Sequence, residues 1–151
     1  MFFSTRSYYG TRAMLELARL GSDGPVHLET LAKNQKIPER YLAKIVQDLR
    51  RGGLIRSTRG AHGGYMLARQ PSAVAVLDIV ACLEGSLAPV DCVEFPETCE
   101  NADRCVTREV WQEMHNAVVK VLKSTTLQDL LDRLHRAEPE HGKARKARRH
   151  A

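Results

Sequence analysis

Residues 39–68, ERYLAKIVQDLRRGGLIRSTRGAHGGYMLA, decide the fold. Leu42, Ile45, Val46 and Leu49 recur at helical spacing, so Glu39 to Arg51 reads as an amphipathic helix. Ile37-Pro38-Glu39 is a turn that starts it, where the missing N–H of a proline costs nothing. Gly52-Gly53 stops it. Two short strands follow, Leu54 to Thr58 and Tyr65 to Ala68. The RGAHGG segment between them, residues 59–64, is a glycine-rich, basic hairpin tip.

Working upstream, Ser4 or Thr5 can cap a first helix that runs to about Leu20. Tyr9, Ala13, Met14, Leu17, Ala18 and Leu20 form its apolar side. Gly21-Ser22-Asp23-Gly24-Pro25 breaks it. A short helix over Glu29 to Asn34 precedes the turn. Helix, short helix, turn, helix and hairpin make a winged helix-turn-helix with a two-stranded wing. The expected fold class is therefore mainly α.

Downstream, Val74 to Leu83 is a compact apolar helix closed by Gly85. Residues 86–103 are expected to be a long polar loop, and that length hints at function. A long helix then spans about Arg104 to Lys123, with Val106, Val110, Trp111, Met114, Val118, Val121 and Leu122 on one side. Thr125 or Thr126 caps a last helix, Leu127 to about Arg136. Three regions result: a DNA-binding part over residues 1–72, a loop-and-long-helix part over 73–136, and a disordered basic tail over 137–151.

Charge follows the same division. Residues 1–72 hold 12 Lys and Arg against 5 Asp and Glu, whereas residues 73–137 hold 6 against 11. A basic first half reads as a polyanion-binding face. No apolar run reaches the ~20 residues of a membrane helix, and the N-terminus lacks the apolar core of a signal peptide. A cytoplasmic protein with no membrane partner is expected. Four cysteines in such a chain argue against a disulfide framework. Cys82 lies in an apolar helix and reads as a small core residue.

In a helix-turn-helix, the second helix enters the major groove and its first turns face the bases. Here those residues are Glu39, Arg40, Tyr41 and Lys44. Arg40 can read guanine edges, and Lys44 can contact phosphate or guanine. Glu39 favours the helix N-terminus electrostatically. Tyr41 is either a phosphate contact or a core residue. On the wing, Arg59 and His62 sit among three glycines. An arginine there can enter a narrow minor groove, and the glycines let the backbone approach phosphates. Arg50, Arg51 and Arg56 add diffuse, salt-sensitive attraction.

Cys92, Cys99 and Cys105 fall within fourteen residues, spaced C-x6-C-x5-C. Over residues 4–136 the chain resembles the Rrf2 family of winged-helix regulators. The matching stretches are YGTRAMLELA (9–18), YLAKIVQDLRRGGL (41–54), RGAHGGY (59–65), LDIVACLEG (77–85), and the cysteine loop running into Trp111. The resemblance implies a homodimeric transcription factor, a repressor, that binds a roughly palindromic double-stranded operator. The helix from Arg104 to Lys123 would form the dimer interface, and its apolar stripe independently demands a partner surface.

The resemblance also implies that Cys92, Cys99 and Cys105 ligate an iron–sulfur cluster, 2Fe–2S or 4Fe–4S, whose state alters DNA binding in response to redox, iron or nitric oxide. Such clusters usually take four ligands. Some family members place a histidine three residues past the last cysteine, where this chain has Arg108, which has no lone pair to give. Others recruit an aspartate from the first helix of the partner, and the matching position here is Tyr8. A further departure is Ala43, where some members carry a glutamate that tunes operator choice.

Asp91, Glu94, Glu97, Glu100 and Asp103 are local candidates for the fourth ligand, with His115 a helix away. Three cysteines plus a histidine or carboxylate could instead hold zinc. The same thiols could also act without metal, directly or through a protein partner. An enzyme with one of these cysteines as nucleophile and His115 as base is the rival from another class. No nucleotide loop or nucleophile elbow supports it.

Overall fold

The computed structural model describes residues 3–147, with side chains described through Ala137. Among the described residues there are seven α-helices and one hairpin: α1 Thr5–Leu20, α2 Leu28–Gln35, α3 Glu39–Arg51, β1 Ile55–Thr58, β2 Gly64–Leu67, α4 Val76–Glu84, α5 Asp91–Glu94, α6 Val106–Ser124 and α7 Leu127–Ala147. The chain is mainly helical, as its sequence predicts. Among the described residues, no helix is long and apolar enough to cross a membrane.

Helix α1 is the centre of the structure. Ser4 caps it, with its Oγ accepting from the Ser7 amide. Ser4 is held in turn by Glu84, which accepts from both its backbone N–H and its hydroxyl at 2.7 Å. Ala13, Met14 and Leu17 are fully buried against Leu31, Leu42, Ile45, Leu49 and Ile79. Gly10 sets the closeness of the α1–α4 crossing. A Cβ there would lie 2.3 Å from Leu83 Cδ1.

The wing is antiparallel, with Ile55 opposite Leu67 and Thr58 opposite Gly64. A third segment joins it. Val26 exchanges two backbone hydrogen bonds with Tyr65, at 2.9 and 2.8 Å, and so fixes the hairpin to the loop before α2.

Helix α4 begins two residues later than its apolar run. Val74 is buried but extended, and Asp78 accepts from the Ala75 N–H to start the helix. The Val76 amide bonds to Thr125 O, and the Leu127 amide to Val74 O, both at 2.9 Å. These two bonds clamp the start of α7 to the start of α4.

Three features bear on the sequence reading. First, residues 86–103 are folded: α5, one 3-10 turn and the start of a second lie within them, and Leu87, Val93 and Ala102 are buried. Three apolar residues fasten the segment. Second, α6 has no buried residue over its 19 positions. Third, α7 does not stop near Arg136 but continues to Ala147, past Pro139 and Gly142. The end of the expected disordered tail, residues 148–151, lies outside the described residues.

Candidate nucleic-acid interface and cysteine segment

Helix α3 spans the residues its periodicity predicts. Leu42, Ile45, Val46 and Leu49 are buried, so the opposite face is turned outward. Glu39, Arg40 and Lys44 are exposed on it. Among the described residues, Arg40 and Lys44 make no hydrogen bond or ion pair, which leaves their donors available. Tyr41 is half-buried, packs against the core, and meets the Tyr9 ring edge-on at 6.0 Å. It is a packing residue first.

The structure adds Gln47 to this face. It is exposed one turn beyond Ala43 and Lys44, and with Ala43, Arg50 and Tyr65 it lines a shallow recess of about 240 Å³. A side-chain amide can pair with an adenine edge. Its position at i+3 from Lys44 and i+4 from Ala43 was the available signal. Arg50 Nη1 donates to Ser57 Oγ at 3.2 Å and ties the reading helix to the wing.

Arg59 and His62 project at the wing tip, exposed and without a hydrogen-bond partner among the described residues. The glycines beside them are explained by the fold itself. A Cβ on Gly64 would come within 2.7 Å of Val26 O, and one on Gly63 within 2.4 Å of Thr58 O. Close packing of the hairpin on its own backbone therefore requires glycine at both positions, whatever approaches from outside.

The three clustered cysteines lie on separate local structures. Cys92 is in α5, Cys99 follows the Pro96–Thr98 turn, and Cys105 immediately precedes α6. All are free thiols and partly buried. Cys105 Sγ lies 3.1 Å from Thr107 Oγ1. That hydroxyl, followed by the Arg108 backbone N–H, holds the Cys105 thiol below the usual range. Arg108 Nε donates to Cys92 O at 2.7 Å.

Thiols are the right donor type for an iron–sulfur cluster. Nevertheless, among the described residues no group of three or more His, Cys, Asp or Glu is arranged to hold a metal ion. As folded, the three thiols are not gathered into a metal-ion site. Of the fourth-ligand candidates, Glu94 accepts from Ser86 Oγ, and His115 Nδ1 contacts Leu87 O at 3.1 Å. Asp91, Glu97, Glu100 and Asp103 are exposed.

Cys82 is a different kind of thiol. It packs against the core, donates to Asp48 O at 3.6 Å, and touches Gly52 so closely that a Cβ there would lie 2.4 Å from its sulfur. Burial pushes its thiol up, with the nearby Asp48 charge adding to the effect.

Comparison with known proteins gives a consistent result. The family described as Rrf2, an iron-dependent transcriptional regulator, matches residues 3–133. Protein rrf2 of Nitratidesulfovibrio vulgaris is 43% identical over 131 residues, covering 87% of each chain. The transcriptional regulator CymR of Bacillus subtilis is 41% identical over 130 residues, covering 86% of this chain and 89% of its own. The solved structure of CymR, the global cysteine regulator of B. subtilis, superposes with a TM-score of 0.73 over 86% of this chain and 95% of that one. T. potens IscR, 39% identical, superposes with a TM-score of 0.76 over 91% of this chain and 90% of that one. The family description and the name of the B. subtilis relative are those of transcriptional regulators.

Proposed function

The chain belongs to the Rrf2 family of transcriptional regulators, and from that premise we propose a dimeric, cytoplasmic repressor whose operator affinity is set by the state of Cys92, Cys99 and Cys105. The observation that carries the DNA-binding half is the outward face of α3 and the wing. Arg40, Lys44, Arg59 and His62 stand there exposed, with donors that no partner among the described residues uses. Arg40, with Glu39 and Gln47 beside it, is the base-reading group in the major groove. Lys44 contacts phosphate or guanine, and Tyr41 supports the helix from behind. Arg59 and His62 reach the flanking groove.

Helix α6 supplies the dimer surface in this reading. Val106 is 72% exposed and Val121 63%, with Val110 and Trp111 also open. A row of large apolar side chains on a helix that buries nothing of its own calls for a partner. A second copy of the same helix satisfies it and presents two reading heads to a roughly palindromic operator. Residues 73–136 then form the signal-receiving and dimerising part.

The path from signal to DNA is short. The cysteine segment packs on α6 through α5, α6 packs on α4, and α4 packs on both α1 and α3. Cys82 on α4 touches Gly52 and Asp48 at the end of the reading helix. A change in the segment can therefore bias the placement of α3, provided the two states differ in affinity for DNA.

Two chemistries compete for the same thiols. The number of cysteines and the family's iron-dependent description support an iron–sulfur cluster. The geometry as folded favours the alternative, metal-free thiol chemistry, with Cys105 the activated thiol. Similarity to CymR supports that alternative as well.

Anaerobic purification followed by iron, sulfide and zinc analysis separates these readings. Matched iron and sulfide, together with operator affinity that changes when both are removed, establishes the cluster. Iron-free protein that cannot be reconstituted, yet binds its operator only while reduced, establishes the thiol reading. Affinity indifferent to both treatments removes the cysteine segment from the function.

A further inference from the structure

Arg12 of α1 joins two halves of the helix-turn-helix. Its Nε donates to Gln35 Oε1 at 3.1 Å, and its Nη2 donates to the Gln35 carbonyl. Gln35 is the last residue of α2. The chain then turns through Lys36, the one non-glycine residue with positive φ (53°) among the described residues, and buried Ile37 before α3 begins. A terminal helix carbonyl has no partner within its own helix, and a cation there is also favoured by the helix dipole.

The same guanidinium lies 5.4 Å from the Tyr8 ring centroid and 5.7 Å from that of Tyr9. Tyr9 in turn meets Tyr41, in the first turn of α3, at 6.0 Å and 80°. Contacts thus run from the end of α2, through Arg12 and Tyr9, to the start of α3. The turn between the two helices is braced on the α2 side by Arg12 and on the α3 side by Tyr9, which Arg12 contacts. Two of the Arg12 donors and the face of its guanidinium are engaged inside the protein.

We propose that Arg12 is a positioning residue for DNA recognition. It fixes the angle between α2 and α3, so that Arg40 and Lys44 meet the bases in register, and it does not touch DNA itself. This rests on the operator-binding reading above. Loss of the brace should weaken sequence-specific contacts, which depend on register, and spare the diffuse phosphate attraction, which does not.

The test begins with duplex DNA selected from random sequence by the wild-type protein. That duplex and unselected random duplex are then titrated at several salt concentrations with wild type, Arg12→Ala and Arg12→Lys. Arg12→Ala is expected to bind the selected duplex about tenfold more weakly, with unchanged affinity for the random duplex and an unchanged salt slope. Arg12→Lys should fall between, because lysine can cap one carbonyl but cannot fork or stack. It also decides the matter should Arg12→Ala fail to fold.

A salt slope reduced by about one, with both duplexes weakened together, would mean a direct phosphate contact and overturn the proposal. Unchanged affinity in both variants would overturn it too. Failure of the wild type to select any sequence would instead defeat the operator-binding reading on which it rests.

Discussion

Arg108 donates its Nε hydrogen to the Cys92 carbonyl oxygen over 2.7 Å, so the first turn of α6 holds the start of the cysteine segment. The contact spans sixteen residues and is partly buried. A hydrogen bond from a charged donor contributes more than a neutral one. Together with buried Val93 and Ala102, it makes the segment part of the α6 surface.

Arg108→Ala should therefore loosen the segment without unfolding the chain. Backbone amides of Val93 and Phe95, now bonded within the segment, should exchange faster in hydrogen-exchange mass spectrometry. Amides in α1 and α3 should keep their protection. Global stability should fall by about 1 kcal/mol, the scale of one hydrogen bond to a charged group discounted for partial exposure. Equal loosening everywhere would mean that the segment and the core unfold as one unit.

What the sequence made legible follows the strength of its periodic signals. Helix α3 occupies Glu39–Arg51, as the Leu42, Ile45, Val46, Leu49 stripe and the double glycine require. The hairpin lies within one residue of its expected place, because its β-rich runs flank an unmistakable tip. Helix α5 was illegible: four residues, Asp91–Glu94, are too few to carry a period. The extension of α7 was hidden because residues 137–147 carry no apolar period and include Pro139 and Gly142, which argue against a helix. At the site, the outward position of Arg40, Lys44 and Arg59 was readable from the buried face opposite. The Arg12 brace and the separation of the three cysteines were not. Both depend on how distant segments pack, which spacing along the chain does not encode.

At the wing tip, Arg59→Ala should weaken operator binding at about the 1 kcal/mol level, with the salt slope reduced by about one if the contact is to phosphate. Anisotropy titrations at two salt concentrations measure both quantities. The hairpin should stay folded, since Arg59 makes no hydrogen bond or ion pair among the described residues. Unchanged affinity would remove the wing tip from the interface.

Gly64→Ala should act on the wing through its scaffold. The added methyl would meet Val26 O at 2.7 Å, in the pair of hydrogen bonds that anchors Tyr65. Gly64 also has φ +153°, which side chains rarely adopt. A loss of about 1–3 kcal/mol is expected from strain of this kind, seen as a lower melting temperature with weaker DNA binding. A fully stable variant would mean that the hairpin can shift away from Val26.

The thiols should differ in rate of alkylation. In metal-free protein, Cys105 should react with iodoacetamide before Cys82 as pH is raised. The Thr107 hydroxyl lowers the Cys105 thiol, whereas burial raises that of Cys82. Thiolate is the reacting form, so the gap should be widest below the ordinary thiol range and narrow above it. Mass spectrometry of timed samples at two pH values gives the order directly. Cys82 reacting first would show that α4 opens away from Gly52 more readily than its packing implies.

Glu16 is 5% exposed and receives hydrogen bonds from Arg19 at 2.9 and 2.6 Å and from Asn34 Nδ2 at 2.7 Å. The Arg19 bond outweighs desolvation and holds its carboxyl below the ordinary value. A depressed folded-state value means that the unfolded chain takes up the proton first. The stabilisation is therefore complete above the ordinary glutamate pKa and is lost as pH falls through the folded one. Glu16→Gln should lower stability at neutral pH by about 1–3 kcal/mol, since one buried acceptor set is exchanged for an amide that cannot satisfy both donors. As pH falls below the ordinary glutamate value and through the depressed folded one, the gap between variant and wild type should close, because protonated Glu16 has lost the same interaction. Urea unfolding at neutral and acid pH measures both ends. A gap that persists unchanged into acid would mean that the α1–α2 junction depends on the shape of this side chain and not on its charge.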